Sequence, residues 1–168
     1  MQVYIIKESN SDSRVAASPD TVKKMTDWGL NVFIQDNAGL NSNFSNEDYI
    51  KSGATISNEI TDIGKSDLIL KINKPNDDEI ALMKEGSILI ASLDPYNNNE
   101  TLNKLKDKGV TSFAMELMPR ITRAQSMDIL SSQSNLAGYK AVIDATYLFN
   151  KAMPMMMTAT GTIAPAKV

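Results

Sequence analysis

The 168-residue chain contains neither cysteine nor histidine. Without cysteine, disulfide bonds and thiolate chemistry are excluded. Without histidine, the chain lacks the commonest general base and the commonest metal ligand, and it cannot form a Ser-His-Asp arrangement. These absences leave little scope for proton-transfer chemistry near neutral pH.

Clusters of positive charge and long apolar runs are also missing. The net charge is −3 and no basic cluster occurs, so the sequence carries no electrostatic signal for a nucleic-acid partner. No apolar run approaches the ~20 residues that a membrane-spanning helix needs. Residues 1–7 are typical of a short strand rather than a signal peptide. We therefore expect a cytoplasmic domain with enough length for a sizeable core.

The sequence instead alternates β-branched runs with amphipathic segments. Ser18 and Pro19 predict the start of the first helix, and Gly29 predicts its end. Strands are predicted at 3–6, 31–35, 67–72, 87–91 and 110–114, and helices at 21–28, 46–52, 77–83 and 98–108. This alternation predicts an α/β fold with a mostly parallel sheet, whose ligand side lies at the carboxyl ends of the strands.

A long, almost uncharged segment follows. Thr122 is predicted to cap a helix that runs from 123 to 150. Because it carries hardly a charge, this helix is expected to be covered on more than one side. Small and apolar side chains share one side of it and polar side chains the other, which suits a helix that bridges two packed units. The methionines at 153 and 155–157 indicate adaptable packing at an interdomain hinge.

Three segments together resemble one family. The sequences RVAASP at 14–19 and LILKINKP at 68–75 are similar to signatures that alanine dehydrogenases share with nicotinamide nucleotide transhydrogenases. The sequence PRITRAQSMDILSS at 119–132, followed by NLAGY at 135–139, resembles the transhydrogenases specifically. The similarity is to the N-terminal part of the NAD(H)-binding component (alpha subunit, domain I) of the proton-translocating enzyme. It implies a Rossmann-like (flavodoxin-like) sheet with flanking helices and a long C-terminal interdomain helix.

The resemblance also implies a domain organisation. We expect an α/β domain at 1–122, a connecting helix at 123–152, and at 153–168 a hinge with the start of an NAD-binding domain that is truncated here. No G-x-G-x-x-G sequence occurs in the 168 residues, so the principal NAD-binding half is expected to be missing and the chain alone to be inactive. Tyr4-Ile5-Ile6 replaces the family's Gly-Ile-Pro, which predicts a differently shaped strand end.

Two positions separate the branches of this family. Alanine dehydrogenases use a lysine and a histidine to handle the amino acid and its proton, and this chain has Asn73 and Asp94 at the corresponding places. Deamination needs a proton acceptor with a pKa near neutral pH. Direct hydride transfer between two nicotinamides needs no protein acid or base at the reacting carbons. The substitutions therefore favour transhydrogenation.

The resemblance implies four site residues. Arg120, Gln125 and Asp128 are expected to lie beside NAD(H) and to act in catalysis by orienting the nicotinamide, with Gln125 reaching toward NADP(H) on a partner component. Ser131 matches a position near the nicotinamide carboxamide, so all four are predicted to bind the cofactor, without a metal. Without the resemblance, the default interpretation of these residues would be a salt bridge and cap at a helix start.

The implied enzyme couples hydride transfer between NAD(H) and NADP(H) to proton translocation. Its implied partners are the NADP(H)-binding component (beta subunit), membrane subunits and, for the full-length chain, a second copy, all at the inner face of the membrane. Two alternatives stay open. One is a non-catalytic truncated or docking module, and the other is an alanine dehydrogenase-like NAD-dependent enzyme.

Several charged positions have competing interpretations. Arg14 either binds a carboxylate, as the related dehydrogenases suggest, or pairs with Glu8. Lys71 is predicted to be structural rather than part of a site. The acidic run at 77–79 is interpreted as favourable charge in the first turn of a helix and not as a metal site.

Overall fold

The computed structural model describes residues 1–9 and 11–167. It contains one sheet of six parallel strands in the order β3-β2-β1-β4-β5-β6. The strands are β1 (Gln2–Ile5), β2 (Asn31–Gln35), β3 (Thr55–Ser57), β4 (Leu68–Leu70), β5 (Ile88–Ala91) and β6 (Thr111–Ala114). The predicted α/β class with a parallel sheet is confirmed.

The strand order is that of the Rossmann fold, and it reverses between β1 and β4. The flavodoxin-like order, 2-1-3-4-5, is not the one found. In either arrangement, ligands bind outside the carboxyl ends of the strands at the point where the order reverses. In this chain that point lies between the loops that follow β1 and β4.

α-Helices connect most consecutive strands, and the first three of the four, but not the last, start with side-chain caps. They are α1 (Pro19–Asp27), α2 (Asn46–Lys51), α3 (Asp77–Leu82) and α4 (Asn99–Asp107). Ser18 caps α1 with Pro19 in the first turn, as predicted. At α2 and α3 the cap is reciprocal, because an acidic side chain in the first turn accepts a hydrogen bond from the backbone of the capping residue.

The core covers both faces of the sheet because neighbouring side chains on a strand point in opposite directions. Along β1 and just beyond it, Tyr4 and Ile6 enter one cluster of buried side chains, and Val3 and Ile5 enter the other. Ile69 and Leu89 continue the first cluster. A parallel sheet buried on two sides is the usual arrangement.

The elements predicted between residues 3 and 114 agree with those found to within about two residues at each end. β3 was not predicted. It has three residues, and polar Asn58 and Glu59 follow it, so its sequence is too short for an alternating pattern to stand out.

The chain divides into two compact units, Met1–Met118 and Pro119–Val168. In the second unit a 3-10 helix (Thr122–Met127) is followed by α5 (Ile129–Leu148), and Asp128 caps α5. The predicted helix start at 123 with Thr122 as cap is therefore wrong. The reason is that Asp128 has an extended backbone, with ψ 95°, and its side chain bonds to the start of α5.

α5 has no buried residue, and its apolar side chains are not gathered on one face. Cover on more than one side, as expected from the sequence, is not provided by the described part of this chain. The division at 1–122, 123–152 and 153–168 stays a prediction, and Val168 lies outside the described residues.

A short hairpin follows α5. β7 (Met156–Thr158) and β8 (Gly161–Ile163) pair antiparallel, and Gly161 has a positive φ of 136° next to the turn. This hairpin occupies the segment that is predicted to be a hinge. Two-stranded hairpins are marginally stable by themselves, so we expect this to be the least stable sheet of the molecule. No helix in residues 1–9 and 11–167 is long and apolar enough to span a membrane.

Candidate functional site

Asp128 and Ser131 form the best-defined part of the predicted cofactor site. The Asp128 Oδ1 accepts the backbone N–H of Ser131 at 3.0 Å, and its Oδ2 accepts the Ser131 hydroxyl at 2.6 Å. Both bonds lie in the first turn of α5, so the carboxylate and the hydroxyl are fixed relative to the helix axis.

The Asp128 carboxylate is ionised at neutral pH. The Ser131 hydroxyl and backbone N–H lower its pKa below the ordinary aspartate value, and the positive charge of Arg120 lowers it further. A carboxylate in this state accepts hydrogen bonds but is a poor proton donor or acceptor near neutral pH. Its chemistry is therefore that of an orienting group.

Arg120 and Gln125 are exposed and lie close to Asp128 along the chain. The backbone N–H of Asp128 bonds to the carbonyl oxygen of Gln125 at 3.4 Å, which closes the 3-10 helix. Among the described residues, neither the Arg120 nor the Gln125 side chain makes an intramolecular hydrogen bond. Arg120 thus interacts with Asp128 through the electrostatic effect of its charge and not in a direct ion pair.

The second unit therefore brings together Asp128 and Ser131 by direct contact and adds Arg120 by its charge. Gln125 stands on the preceding turn with its amide free for an external group. Guanidinium, amide, carboxylate and hydroxyl groups can bind the carboxamide and ribose of a dinucleotide. This set of groups fits such a ligand, and none of them is suited to proton transfer.

A second polar cluster, which the sequence did not reveal as a unit, lies where the strand order reverses. Glu8 follows β1 and is buried, with 6% of its surface exposed. Its carboxylate accepts the backbone N–H of Ile72 at 2.7 Å and the side-chain amide of Asn73 at 2.9 Å. Glu8 thus ties the loop after β1 to the loop after β4.

Arg14 joins this cluster through Asp12. Its guanidinium lies 2.6 Å from the Asp12 carboxylate, to which the Asn73 amide also donates at 2.8 Å. The hydrogen bonds from Arg14 hold the pKa of Asp12 well below its usual range. Of the two interpretations of Arg14, the one that pairs it with Glu8 names the wrong partner: the hydrogen bond to Asp12 raises the Arg14 pKa most, and Glu8 contributes only through its negative charge.

Lys71 and Glu79 form a buried ion pair in the same region. Their charged atoms lie 2.5 Å apart, and the residues are 8% and 4% exposed. Glu79 also accepts the backbone N–H of Asn76 at 2.8 Å, which completes the cap of α3. This supports the structural interpretation of Lys71.

The pair lines an open cleft of about 440 Å³. Its other lining residues are Lys7, Glu8, Ser9, Gln35, Ile60 and Asn76. One pattern in the sequence could have indicated this cluster: charged residues occur directly after two strands that prove to be neighbours in the sheet. The strand order had to be known before that signal could be used.

The fold and its polar groups define the class of protein to which this chain belongs. It is a Rossmann-type parallel α/β domain with charged side chains at the ligand side of the sheet. The sequence matches the family model "Alanine dehydrogenase/PNT, N-terminal domain" over residues 4–137. The chain therefore belongs to the alanine dehydrogenase/PNT N-terminal domain family.

Several relatives resemble the chain over nearly its whole length. It is 45% identical over 175 residues to an NAD(P) transhydrogenase subunit alpha protein of Rhodospirillum rubrum, covering 100% of this chain and 46% of that protein. A solved transhydrogenase from Sinorhizobium meliloti has a TM-score of 0.93 and 48% identity, over 99% of this chain and 50% of the other. An L-alanine dehydrogenase structure has a TM-score of 0.80 and 27% identity, over 88% and 40%. The chain thus spans about half the length of these relatives.

Proposed function

We propose that this chain is part of the NAD(H)-binding component of a proton-translocating transhydrogenase, which transfers hydride between NAD(H) and NADP(H). The observation that carries the proposal is segment 119–132, in which the predicted orienting residues surround the capped start of α5. The similarity to NAD(P) transhydrogenase alpha subunits over the whole chain supports it.

In this proposal NAD(H) supplies or accepts the hydride when it is bound. The chain binds and orients it through Arg120, Gln125, Asp128 and Ser131 and moves no proton at the reacting carbons. Ser131 holds the ionised Asp128 carboxylate in place, so that it accepts hydrogen bonds from the ligand. Arg120 and Gln125 supply the donors, and Gln125 reaches toward NADP(H) on the partner.

The same proposal includes an assembly. NADP(H) is carried by a separate component (beta subunit), membrane subunits conduct the protons, and the chain works at the inner face of the membrane. The full-length component forms a homodimer. Sedimentation of the full-length component is the test of that last point, since a monomer at micromolar concentration would contradict it.

The exchange of Gln125 for asparagine tests the site. The shortened amide no longer reaches the second nucleotide, so we expect hydride transfer in the reconstituted complex to slow markedly, with little loss of NADH affinity. Gln133→Asn, on an exposed turn of α5, is the matched control and should transfer hydride at the normal rate. An unchanged rate in Gln125→Asn would remove this residue from its assigned role.

A second candidate is a non-catalytic docking module. In this alternative the 168 residues dock a partner without binding nucleotide tightly. Titration of the chain with NADH, followed by nicotinamide fluorescence, separates the two. Micromolar binding contradicts the docking module, while a lack of binding by the full-length component contradicts the transhydrogenase.

The third candidate, an alanine dehydrogenase-like enzyme, draws on the similarity to an L-alanine dehydrogenase structure. Asn73 and Asp94 argue against it, because the Asn73 amide is engaged by Glu8 and Asp12 and an aspartate replaces the proton acceptor. Alanine-dependent formation of NADH by the full-length protein would revive it.

A further inference from the structure

The loop after β5, residues 92–98, is held in an uncommon conformation. Asp94 has a left-handed backbone with φ 45°, which a residue with a side chain seldom adopts. The Asn98 side-chain amide donates to the carbonyl oxygens of Leu93 at 3.2 Å and Asp94 at 3.0 Å. Asn97 donates to both carboxylate oxygens of Asp94, at 3.0 and 3.1 Å. Hydrogen bonds from its own asparagine side chains therefore hold this loop.

Glu116 holds the same loop from the neighbouring strand. It lies in the 3-10 turn Met115–Leu117, directly after β6. Its Oε1 accepts the backbone N–H of Leu93 at 2.8 Å and also that of Asp94. Hydrogen bonds to a carboxylate are stronger than those between neutral groups. The peptide groups around Asp94 are thus held by Glu116 through N–H and by Asn98 through C=O.

The second carboxylate oxygen of Glu116 is left unpaired. Oε2 is buried, and among the described residues it is the sole buried side-chain nitrogen or oxygen atom without a hydrogen-bond partner. Buried polar atoms almost always have partners, so an unpaired one calls for a reason beyond stability. An apolar side chain at this position would avoid the unpaired oxygen, but it would release the loop.

We propose that Glu116 is a positioning residue for hydride transfer, an inference that rests on the proposed function. Its turn is the last structure of the first unit, which ends at Met118, and Arg120 follows directly along the chain. By bonding to the loop after β5, Glu116 fixes the point from which the segment with Arg120 and Gln125 departs. Since misplacement of a reacting group by ~1 Å can slow a reaction ~100-fold, a loosened departure point slows hydride transfer.

The test compares Glu116→Ala with Asn98→Ala in the intact NAD(H)-binding component, mixed with the NADP(H)-binding component. Each variant removes one set of hydrogen bonds to the peptide groups around Asp94, but only the first also releases the turn before Arg120. We expect Glu116→Ala to slow single-turnover hydride transfer at least ~10-fold. NADH affinity should stay within about twofold, and Asn98→Ala should keep a rate close to that of the unmodified protein.

Two further variants keep the proposal testable if Glu116→Ala does not fold. Glu116→Gln retains the reach and one acceptor oxygen, whereas Glu116→Asp keeps the charge but withdraws it from the loop. We expect hydride transfer to be slower in Glu116→Asp than in Glu116→Gln. Equal rates for these two, a normal rate in Glu116→Ala, or equal slowing in Asn98→Ala would each overturn the inference. Absence of hydride transfer in the unmodified complex would instead overturn the proposed function.

Discussion

The two units of this chain differ in whether their apolar side chains are buried or exposed. In the first unit, Met1–Met118, apolar side chains from each strand are buried on both faces of a sheet. In the second, α5 carries Leu136, Tyr139 and Val142, and all three are exposed. Helices in proteins are mostly stabilised by packing an apolar face. The first unit therefore derives its stability from a core, whereas α5 depends on its cap and local pairs.

The largest expected contrast concerns ion pairs. Lys71–Glu79 is buried, while Lys140–Asp144 is an exposed i,i+4 pair on α5. Glu79→Gln keeps the shape of the side chain but leaves the Lys71 charge buried without its counter-charge, so we expect a loss of about 3–5 kcal/mol in unfolding free energy. Asp144→Asn should cost about 0.5 kcal/mol or less. Urea unfolding measures both, and equal losses would contradict the contrast.

The next contrast uses one substitution at two glycines. At Gly39 an added Cβ would lie 2.6 Å from the buried ring of Tyr49, whereas at Gly138 on α5 nothing lies within 4 Å. We expect Gly39→Ala to destabilise by about 1–3 kcal/mol through overpacking. Gly138→Ala should stabilise α5 by about 0.5–1 kcal/mol, because alanine loses less backbone entropy in a helix. Thermal unfolding should therefore shift in opposite directions, and shifts of the same sign would argue against this account.

Removal of a tyrosine hydroxyl gives a smaller contrast. The hydroxyl of buried Tyr49 donates to the carbonyl oxygen of Ala17 at 2.9 Å, and burial raises its pKa to about 12. Tyr49→Phe should cost about 1 kcal/mol, the usual net value of one hydrogen bond. Tyr139 is exposed on α5, so Tyr139→Phe should leave the unfolding free energy unchanged. A comparable loss in both variants would mean that the hydrogen bond of Tyr49 contributes little.

The smallest effect is a pH dependence at the start of α5. The Asp128 pKa is lowered from 3.8, chiefly by hydrogen bonds from Ser131. The cap therefore stabilises the helix fully above the ordinary aspartate pKa and is lost as the pH falls through the lower, folded value. Amide exchange at Ser131 should accelerate only in that acidic range. Asp128→Asn caps without titrating, so its exchange should lack this added step, and a midpoint at or above 3.8 in the unmodified chain would refute the assignment.

How well a feature can be predicted from the sequence depends on how far apart along the chain its interacting residues are. β2 and α3 were predicted closely, because alternation and the acidic first turn are local patterns. The start of α5 was misplaced because Thr122 and Asp128 are both suitable caps, and only the backbone of Asp128 decides between them. The hairpin at 156–163, with its turn next to Gly161, is a feature that the sequence analysis does not predict.

The charged cluster at the reversal of strand order required information that no local pattern contains. Glu8 and Asn73 meet because β1 pairs with β4, and this pairing follows from the topology. Arg14 had two carboxylates within reach, and it pairs with Asp12 rather than Glu8. Spacing along the chain did not distinguish between these partners. The roles of Arg120, Gln125 and Asp128 stay predictions, because the family resemblance and not the geometry assigned them.

The central position of β1 has a consequence for biosynthesis. Of the six strands of the sheet, β1 is synthesised first, yet it is flanked by β2 and by β4, which ends at Leu70. At ~5–20 residues per second, its second neighbour emerges only after several seconds of translation. Until then one edge of the apolar strand β1 has unpaired backbone groups, and other nascent chains can pair with it. We therefore expect this protein to depend on chaperones early in synthesis, more than one whose first strand lies at the rim of its sheet.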